Sequence, residues 1–392
     1  MIDRACVLIT FGTRPEAIKL APVVERLLER EDRFETIVAV TAQHREMLDQ
    51  VLEHFSITPT YDLNIMTEGQ TLTEITTRAL EGLGPLVEQV RPDAVLVQGD
   101  TTSTFAAALA AFYHRVPVGH VEAGLRTGNL AQPFPEEANR RLTTRLARWH
   151  FAPTAQAEAS LLAEGVAPST VYVTGNTVVD ALIETASQPF VFAPGPVSDA
   201  LNSGRRIVLV TAHRRENWGE PYRNICAAVS RLVRDFDDIH VLFATHSNPE
   251  LARAAAQSLN DTTRVDLIGP QGYAAFVHLM GASVLMMSDS GGVQEEAPTL
   301  GTPVLVLREL TERSEAVEAG VATLVGTNPD RIVQEASRLL SRPATRESIA
   351  RTNPFGDGHA AERIVDILER ELLTRRSDSH KGTGDATGGD HA

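Results

Sequence analysis

The sequence of 392 residues contains only two cysteines, Cys6 and Cys226, only two tryptophans and few aromatic residues (5%). The two cysteines lie far apart and form no Cys-x-x-Cys or Cys/His spacing, which argues against a disulfide framework and a structural zinc site. No apolar run reaches the roughly eighteen residues that a membrane helix needs. The N-terminal segment also lacks a signal-peptide pattern. We therefore expect a soluble protein of the cytoplasm that has no membrane partner.

Positive charge is also scarce. The chain has 36 Lys and Arg against 51 Asp and Glu, a net charge of −15. This balance argues against a large nucleic-acid interface. Hydrophobic residues (43%) and charged residues (22%) are present at ordinary globular levels. The length predicts two or three domains.

Short β-branched runs alternate with amphipathic segments, a pattern that predicts parallel sheets covered by helices. The predicted strands are Cys6–Thr10, Thr36–Thr41, Ala94–Gln98, Pro117–Val121, Ile207–Thr211, His240–Ala244, Ser283–Met287 and Pro303–Leu307. Helical periodicity is clearest over Leu72–Val90, Pro221–Val233 and Ala360–Leu373. We expect an α/β fold with two doubly wound, Rossmann-like domains. The expected boundaries are a first domain at 1–187, a linker at 188–206, a second domain at 207–358, a C-terminal helix at 359–375 that packs back on the first domain, and a disordered tail at 376–392.

Residues that follow the predicted strands are the candidates for a site, because ligands of open parallel sheets bind beyond the carboxyl ends of the strands. Arg14 follows the first strand at a helix start, where it could bind phosphate or simply belong to a strand–helix turn. Asp100 follows another strand, in a segment that, taken alone, suits a helix cap better than a site. Glu122 also follows a strand and suits a site better than a surface position. Glu136 lies in the first turn of a helix, where its charge would also suit the helix dipole.

The second half of the chain has two further segments of this kind. His213 follows a strand and has two arginines beside it, which suits anion binding or proton transfer. Ser290, Gly291 and Gly292 follow another strand, and their backbone N–H groups could cradle a diphosphate. Glu296 lies one helical turn further, placed to bind a ribose diol. The chain has no Gly-x-Gly-x-x-Gly and no Walker lysine motif, which argues against a dinucleotide cofactor and against an ATPase.

Seven motifs occur in order along the chain. They are Gly-Thr-Arg-Pro-Glu, Gln-His-Arg-Glu-Met-Leu-Asp, Gln-Gly-Asp-Thr-Thr-Ser, His-Val-Glu-Ala-Gly-Leu-Arg, Pro-Phe-Pro-Glu-Glu-x-Asn-Arg, His-Arg-Arg-Glu-Asn and Ser-Asp-Ser-Gly-Gly-x-Gln-Glu-Glu. Together they resemble the non-hydrolysing UDP-N-acetylglucosamine 2-epimerases, from about Val7 to Ile367. The resemblance implies a glycosyltransferase-B-type fold whose domains face across a cleft, and a homodimer. It also implies interconversion of UDP-GlcNAc and UDP-ManNAc, with UDP as a third ligand and with no redox cofactor or metal.

The resemblance implies roles for individual residues. The family's catalytic positions are matched by Asp100, Glu122, Glu136 and His213. Its nucleotide-binding positions are matched by, or lie beside, Arg14, Lys19, Asn217, Ser290, Gly291, Gly292, Glu296 and Arg313. The family's reaction eliminates UDP to give a 2-acetamidoglucal and adds it back with protonation from the other face. The carboxylates would then transfer protons while cationic groups stabilise the leaving diphosphate. Which carboxylate is the base and which the acid stays open.

Many bacterial members of this family are also activated by UDP-GlcNAc at a second site. The residues that resemble that site are Gln43, His44, Glu46, Gly69 and Arg214. Regulated members typically have Arg where this chain has Gly69, and often Gln where it has Glu46. The loss of a guanidinium and the gain of a carboxylate weaken a diphosphate site. We therefore expect near-hyperbolic kinetics, unless a different arginine substitutes.

The sequence also leaves other functions open. A hydrolysing epimerase would release free ManNAc and UDP, which NMR of the products would reveal. A glycosyltransferase of the same fold would share the nucleotide site but would not need three carboxylates in the first domain. A nucleotide-sugar sensor would not need the Asp/Glu/Glu/His set. The pathway that uses the product is not indicated.

Overall fold

The computed structural model describes residues 4–41, 45–65, 67, 69–245, 248–260, 262–311 and 313–381. The chain forms two compact units. Unit 1 contains the residues up to Ala181 together with those from Gly356 onward, and unit 2 is the continuous segment Leu182–Phe355. Each unit is built on one parallel sheet with helices between successive strands. This confirms the predicted α/β class with two doubly wound sheets.

Unit 1 has a seven-stranded sheet in the order β3-β2-β1-β4-β5-β6-β7. Its strands are β1 (Ala5–Phe11), β2 (Phe34–Val40), β3 (Tyr61–Asp62), β4 (Ala94–Gln98), β5 (Val118–Val121), β6 (Trp149–Ala152) and β7 (Val171–Val173). Its helices are α1 (Arg14–Leu28), α2 (Arg45–His54), α3 (Leu72–Val90), α4 (Thr102–Tyr113), α5 (Glu136–Leu146), α6 (Ala155–Ala163) and α7 (Thr177–Ser187). All residues of β4 and β5 are buried, as expected for central strands covered on both faces.

Unit 2 has a six-stranded sheet in the order β10-β9-β8-β11-β12-β13. Its strands are β8 (Arg206–Thr211), β9 (Ile239–Ala244), β10 (Val265–Ile268), β11 (Ser283–Ser288), β12 (Val304–Val306) and β13 (Ala322–Leu324). Its helices are α8 (Pro196–Asn202), α9 (Glu220–Asp235), α10 (Pro249–Leu259), α11 (Tyr273–Ala282), α12 (Val293–Thr299), α13 (Ser314–Glu318), α14 (Pro329–Ser341) and α15 (Arg346–Arg351). The core on one side of this sheet joins α9, α10 and α14 to the buried faces of the strands.

The chain passes between the units differently from the predicted boundaries. The boundary between the units lies between Ala181 and Leu182, and not after residue 187. It falls inside helix α7, which continues without interruption from Thr177 to Ser187. The segment 188–206, predicted as a linker, contains helix α8, which contacts strands β9 and β10 and so belongs to unit 2. The chain returns to unit 1 at Gly356, close to the predicted 358.

The last helix, α16 (Ala360–Lys381), completes unit 1 by packing on α1. Arg30 pairs with Asp366 at 2.7 Å and with Glu369 at 2.9 Å. The helix ends at Lys381, beyond the start of the predicted disordered tail at residue 376. The sequence has no Gly or Pro between Ala360 and Lys381 that would end the helix sooner. Residues 382–392 lie outside the described residues.

Five short strands are absent from the sequence prediction, namely β3, β6, β7, β10 and β13. Each has two to four residues, and β3, β7, β10 and β13 lie at or next to a sheet edge. Short edge strands need no continuous apolar run, and the pattern therefore does not reveal them. In the part of the chain that the structure describes, no helix is both long enough and apolar enough to span a bilayer.

Candidate active site

The first group of predicted site residues lies at one edge of the unit 1 sheet. Strands β1, β4 and β5 are neighbours and run parallel, so their carboxyl ends lie together. Arg14, Asp100 and Glu122 follow these three strands. Arg14 opens α1 and is half-buried, and its guanidinium makes no hydrogen bond or ion pair with the other described residues. The fold therefore brings together the three strand ends that the sequence indicated.

A buried carboxylate, Glu16, joins the loop before α1 to the loop before α4. It accepts hydrogen bonds from the backbone N–H groups of Gly12 (3.0 Å) and Thr13 (2.7 Å), and from the hydroxyls of Thr101 (2.7 Å) and Thr104 (2.8 Å). With only 2% of its surface exposed, Glu16 is a structural anchor. It fixes the loops that carry Arg14 and Asp100.

Gly12 shows why this loop needs a glycine. A Cβ atom at this position would lie 2.1 Å from Thr41 Oγ1 and 3.2 Å from Ser103 Oγ. The loop after β1 therefore packs against its neighbours through bare backbone. Any larger residue would displace the loop that carries Arg14.

Asp100 is held by the first turns of helix α5. Its side chain forms an ion pair with Arg140, and its carbonyl oxygen accepts a hydrogen bond from Asn139 Nδ2 at 3.0 Å. Arg140 also pairs at 3.1 Å with Glu137, whose side chain is fully buried. Glu136 opens the same helix and is half-buried, and its side chain makes no hydrogen bond or ion pair with the other described residues. Helix α5 thus contacts the Asp100 loop and carries Glu136 on its first turn.

Glu122 directly follows strand β5 in a left-handed backbone conformation, with φ of 63°. Non-glycine residues in this region are uncommon, and they concentrate at functional sites where the surrounding structure imposes the strain. The Glu122 side chain is 8% exposed and forms an ion pair with Lys19 of helix α1. Asn176 Nδ2 donates a second hydrogen bond to the same oxygen, Oε2, at 3.0 Å. Lys19, predicted to bind UDP, is therefore a direct partner of the Glu122 carboxylate.

His120 lies two residues before Glu122 and is fully buried. Its Nε2–H donates to the carbonyl oxygen of Gly99 at 2.7 Å. Burial lowers the pKa of His120 to about 3, because the charged ring would lose its hydration. His120 is therefore neutral at physiological pH. Its hydrogen bond ties the loop before Asp100 to strand β5.

The second group of residues surrounds Asp289, which directly follows β11 in unit 2 and is fully buried. Its carboxylate accepts hydrogen bonds from the backbone N–H groups of His213 (2.9 Å) and Arg214 (2.9 Å) and from Asn217 Nδ2 (2.9 Å). The His213 ring faces it through Nδ1, 3.3 Å from Asp289 Oδ1. A carboxylate at Nδ1 selects the tautomer that carries its proton there and so orients the ring.

Asn217 was predicted to bind UDP, but its side chain points into the protein. The residue is 4% exposed, and its amide donates to Asp289 and to the carbonyl oxygen of Leu307 at 3.1 Å. Its contribution to the site therefore passes through Asp289 and the loop that carries His213.

Two arginines flank the glycine loop after β11. A Cβ atom on Gly291 would lie 3.5 Å from an Arg313 guanidinium nitrogen and 3.7 Å from an Arg214 nitrogen. Arg313 is itself oriented by Glu295, which accepts its Nε–H at 2.7 Å. Within the described part of the chain, the N–H groups of Gly291 and Gly292 donate to no backbone acceptor. Two guanidiniums beside backbone N–H groups that have no backbone acceptor form a surface suited to a phosphate.

Ser290 and Glu296, the other predicted residues of this segment, lie at and beside the loop after β11. Ser290 lies at the start of the loop, and its backbone N–H donates to Ser288 Oγ at 3.0 Å. Glu296 lies on α12 beneath the loop, where its Oε1 would be 3.2 Å from a Cβ atom on Gly292. Glu296 thus borders the loop. Its role toward a ribose stays a prediction.

The predicted second site can be placed only in part. Gln43 and His44 lie outside the described residues, and Glu46 lies in α2, where only its backbone is described. Gly69 has φ of 74°, and a Cβ atom there would meet nothing within 4 Å. Arg214 lies beside Gly291 with Arg313. The structure therefore groups Arg214 with the anion-binding loop of unit 2.

Four residues outside the predicted set make essential contacts: Glu16, Arg140, Asn176 and Asp289. Glu16, Arg140 and Asp289 stand inside the motifs quoted above, and Asp289 directly follows a strand, so the strand-end rule could have selected it. Asn176 follows β7, a strand that the pattern did not reveal. Arg140 lies three residues after Glu137 on a helix, which is a signal for an ion pair but gives no indication of Asp100.

Comparison with known proteins gives the class first. The structure of UDP-GlcNAc 2-epimerase from Neisseria meningitidis bound to UDP-GlcNAc is 46% identical, with a TM-score of 0.82 over 93% of this chain and 99% of that one. The glycotransferase of kitacinnamycin, 13% identical with a TM-score of 0.63 over 94% of this chain and 100% of that one, shares the fold alone. The fold is thus that of two-sheet α/β enzymes of nucleotide sugars.

The family follows from the sequence matches. The family model described as UDP-N-acetylglucosamine 2-epimerase matches residues 26–369. The UDP-N-acetylglucosamine 2-epimerase of Yersinia pestis is 50% identical over 374 residues, which cover 94% of this chain and 99% of that protein. The chain therefore belongs to the UDP-N-acetylglucosamine 2-epimerase family, as the motifs indicated.

Proposed function

We propose that this chain is the non-hydrolysing form of the enzyme and interconverts UDP-GlcNAc and UDP-ManNAc. The observation that carries the proposal is a pair of carboxylates on neighbouring strands of unit 1. Asp100 and Glu122 follow the paired strands β4 and β5, and each is held by its own cation, Arg140 and Lys19. Inversion at a carbon requires a proton to leave on one face and return on the other, so two positioned proton-transfer groups are needed.

The reaction balances without an oxidant and without water. One group removes the proton from C2 of the sugar, and the electron pair of that C–H bond forms the C1–C2 double bond. The C1–O bond breaks, and its electron pair leaves on UDP. UDP then adds back to C1 while a second group delivers a proton to the opposite face of C2. Asp100, Glu122 and Glu136 are the proposed proton-transfer groups.

Departure of UDP needs stabilisation of the charge that develops on the diphosphate. Arg214 and Arg313 beside Gly291 provide two guanidiniums, and the loop after β11 adds backbone N–H groups. His213, held by Asp289, is the proposed proton donor to the leaving diphosphate. Arg14, Ser290, Gly292 and Glu296 are the further proposed UDP contacts. The relative with bound UDP-GlcNAc supports this class of ligand.

Incubation with UDP-GlcNAc in D2O, followed by proton NMR, tests the reaction. Deuterium should enter C2 as UDP-ManNAc appears, and no free ManNAc should accumulate. EDTA and the absence of NAD should leave the rate unchanged. Free ManNAc and UDP as the main products would identify a hydrolysing enzyme. Turnover without deuterium at C2 would refute elimination and re-addition.

The two groups of residues should separate in kinetics. Loss of a proton-transfer carboxylate should lower kcat far more than it weakens UDP binding, because these groups act on the sugar. Loss of a UDP contact should weaken UDP binding directly. The variants are Asp100→Asn, Glu122→Gln and Glu136→Gln for the first group, and Arg14→Ala and Glu296→Ala for the second. Equal losses of UDP affinity in all five, measured by calorimetry, would contradict this division.

We also propose that the active form is a homodimer. Large apolar side chains are exposed on the adjacent helices α4 and α5 of unit 1, with Phe112 at 54%, Tyr113 at 69% and Leu142 at 48%. Exposed apolar side chains on two packed helices suit a protein interface. Light scattering should give a mass of twice 42.5 kDa. Tyr113→Glu should favour the monomer, and a monomeric wild type would refute the proposal.

A further inference from the structure

The Glu122 carboxylate is more tightly constrained than any other predicted catalytic group of unit 1. Its backbone is left-handed, its side chain is 8% exposed, and Lys19 and Asn176 both bind its Oε2. Lys19 provides charge. Asn176 provides a neutral N–H donor with a fixed direction. The two partners come from opposite ends of the unit 1 segment, since α1 follows β1 and Asn176 follows β7.

The direction of the Asn176 amide is itself determined. Its Oδ1 accepts the backbone N–H of Val178 at 3.2 Å, where α7 begins. With the oxygen engaged there, the Nδ2 group faces Glu122, and an amide flip would break both hydrogen bonds. Asn176 is 2% exposed, and a Cβ atom on Gly356 would lie 3.4 Å from its backbone nitrogen. The residue is therefore held on both sides.

We propose that Asn176 is a positioning residue for Glu122: it fixes the carboxylate plane and favours the ionised form that accepts the C2 proton. This inference rests on the proposed function, because it takes C2 proton transfer as the work of Glu122. An asparagine suits this position better than an aspartate. A carboxylate here would place a second negative charge against Glu122 and remove the donor.

The test is Asn176→Asp, which keeps the shape and retains an oxygen for the Val178 N–H. A like charge beside Glu122 disfavours its ionised form. The carboxylate then protonates at higher pH, so the acid limb of the kcat profile should move upward. Misorientation of the carboxylate should lower kcat at pH 7 by about 100-fold. The affinity for UDP should not change.

A matched control is Asn328→Asp. Asn328 caps helix α14 in unit 2 by accepting the backbone N–H groups of Asp330 (2.9 Å) and Arg331 (3.2 Å), and it lies in neither group of site residues. It should keep the wild-type kcat and pH profile. A second variant tests the contact between residues 122 and 176 by thermal stability, without an activity assay. Glu122→Gln combined with Asn176→Asp removes the repulsion between two carboxylates and leaves one negative charge near Lys19, and it should recover part of the melting temperature that Asn176→Asp alone loses.

The outcomes separate the two proposals. If the wild type does not exchange its C2 proton, the proposed function fails. If the wild type exchanges and Asn176→Asp retains its kcat and pH profile, the positioning role is wrong. If Asn176→Asp loses kcat with an unshifted acid limb, or if the double variant recovers no melting temperature, the charge-selective contact with Glu122 is also refuted.

Discussion

Asp289 offers the sharpest test of how the His213 loop is built. Asp289→Asn preserves the shape of a fully buried side chain but removes its charge. Its Oδ2 accepts three hydrogen bonds, from the N–H groups of His213 and Arg214 and from Asn217 Nδ2. A hydrogen bond to a charged acceptor contributes about 1 kcal/mol more than a neutral one, so the loss is about 3 kcal/mol. For a unit of this size, that predicts a fall in melting temperature on the order of 6–12 °C.

The effect on catalysis has a separate cause. An amide at position 289 that keeps its oxygen toward Asn217 turns its NH2 group toward His213 Nδ1. The ring must then accept at Nδ1, and it loses the carboxylate that stabilises the doubly protonated imidazolium, which is the form that donates a proton to the leaving diphosphate. We expect kcat to fall on the order of 10³-fold, and UDP affinity much less. The assays are steady-state epimerisation, calorimetry with UDP, and thermal unfolding.

The control for this prediction is Asp238→Asn in the same unit. Asp238 pairs with Arg206 at 2.7 Å, and its side chain is 54% exposed, so the loss in melting temperature should be small. In a His213→Asn background, Asp289→Asn should lower kcat little further, because the ring that it orients is gone. A kcat for Asp289→Asn close to that of the wild type, or full additivity with His213→Asn, would refute the reasoning.

Three further predictions concern regulation, pH and the C-terminus. Given pure UDP-ManNAc, the wild type should begin conversion without a lag, and Gly69→Arg should make the rate sensitive to trace UDP-GlcNAc; a wild-type lag abolished by UDP-GlcNAc would show an intact second site. Since the pKa of His120 in the folded state is about 3, the stability that its neutral form contributes is complete above pH 6.5 and is lost as the pH falls from 6.5 toward 3. The melting temperature of His120→Gln should therefore fall less between pH 7 and acid pH than that of the wild type. Parallel plots of melting temperature against pH for the two proteins would contradict this. Truncation before Arg376 should leave activity and melting temperature nearly unchanged, whereas truncation before Ala360 should unfold unit 1; a large effect of the shorter deletion would mean that the last residues pack.

The central part of each sheet was predictable because its strands are buried on both faces and therefore read as apolar runs. Helix α3 was predicted with its observed bounds because its apolar period and its capping residues agree. Strand β7 was not predicted, since Val171–Val173 is too short to show a pattern. Asn176 was missed for the same reason, because it becomes a strand-end candidate only once β7 is known.

The positions of candidate site residues were easier to predict than the side chains that bind them. The strand-end rule selected Asp100, Glu122 and His213, because local sequence determines where a strand ends. It could not show that Arg140 holds Asp100, since the two residues are 40 positions apart and meet only through tertiary packing. Asn217 is a case in which the sequence did not indicate the direction of the side chain. Its motif indicates a ligand contact, but whether an amide turns inward depends on Asp289, which lies 72 residues away.

The divided sequence of unit 1 sets an order of folding during synthesis. Arg30 and Glu369, which join α1 to α16, are separated by 339 residues. At about 5–20 residues per second, translation between them lasts about 17–70 s. Unit 2 is one continuous segment, and all of it emerges within this interval. The face of α1 that packs on α16 therefore stays uncovered while the whole of unit 2 is synthesised. A chain truncated before α16 would leave this face exposed and prone to aggregation.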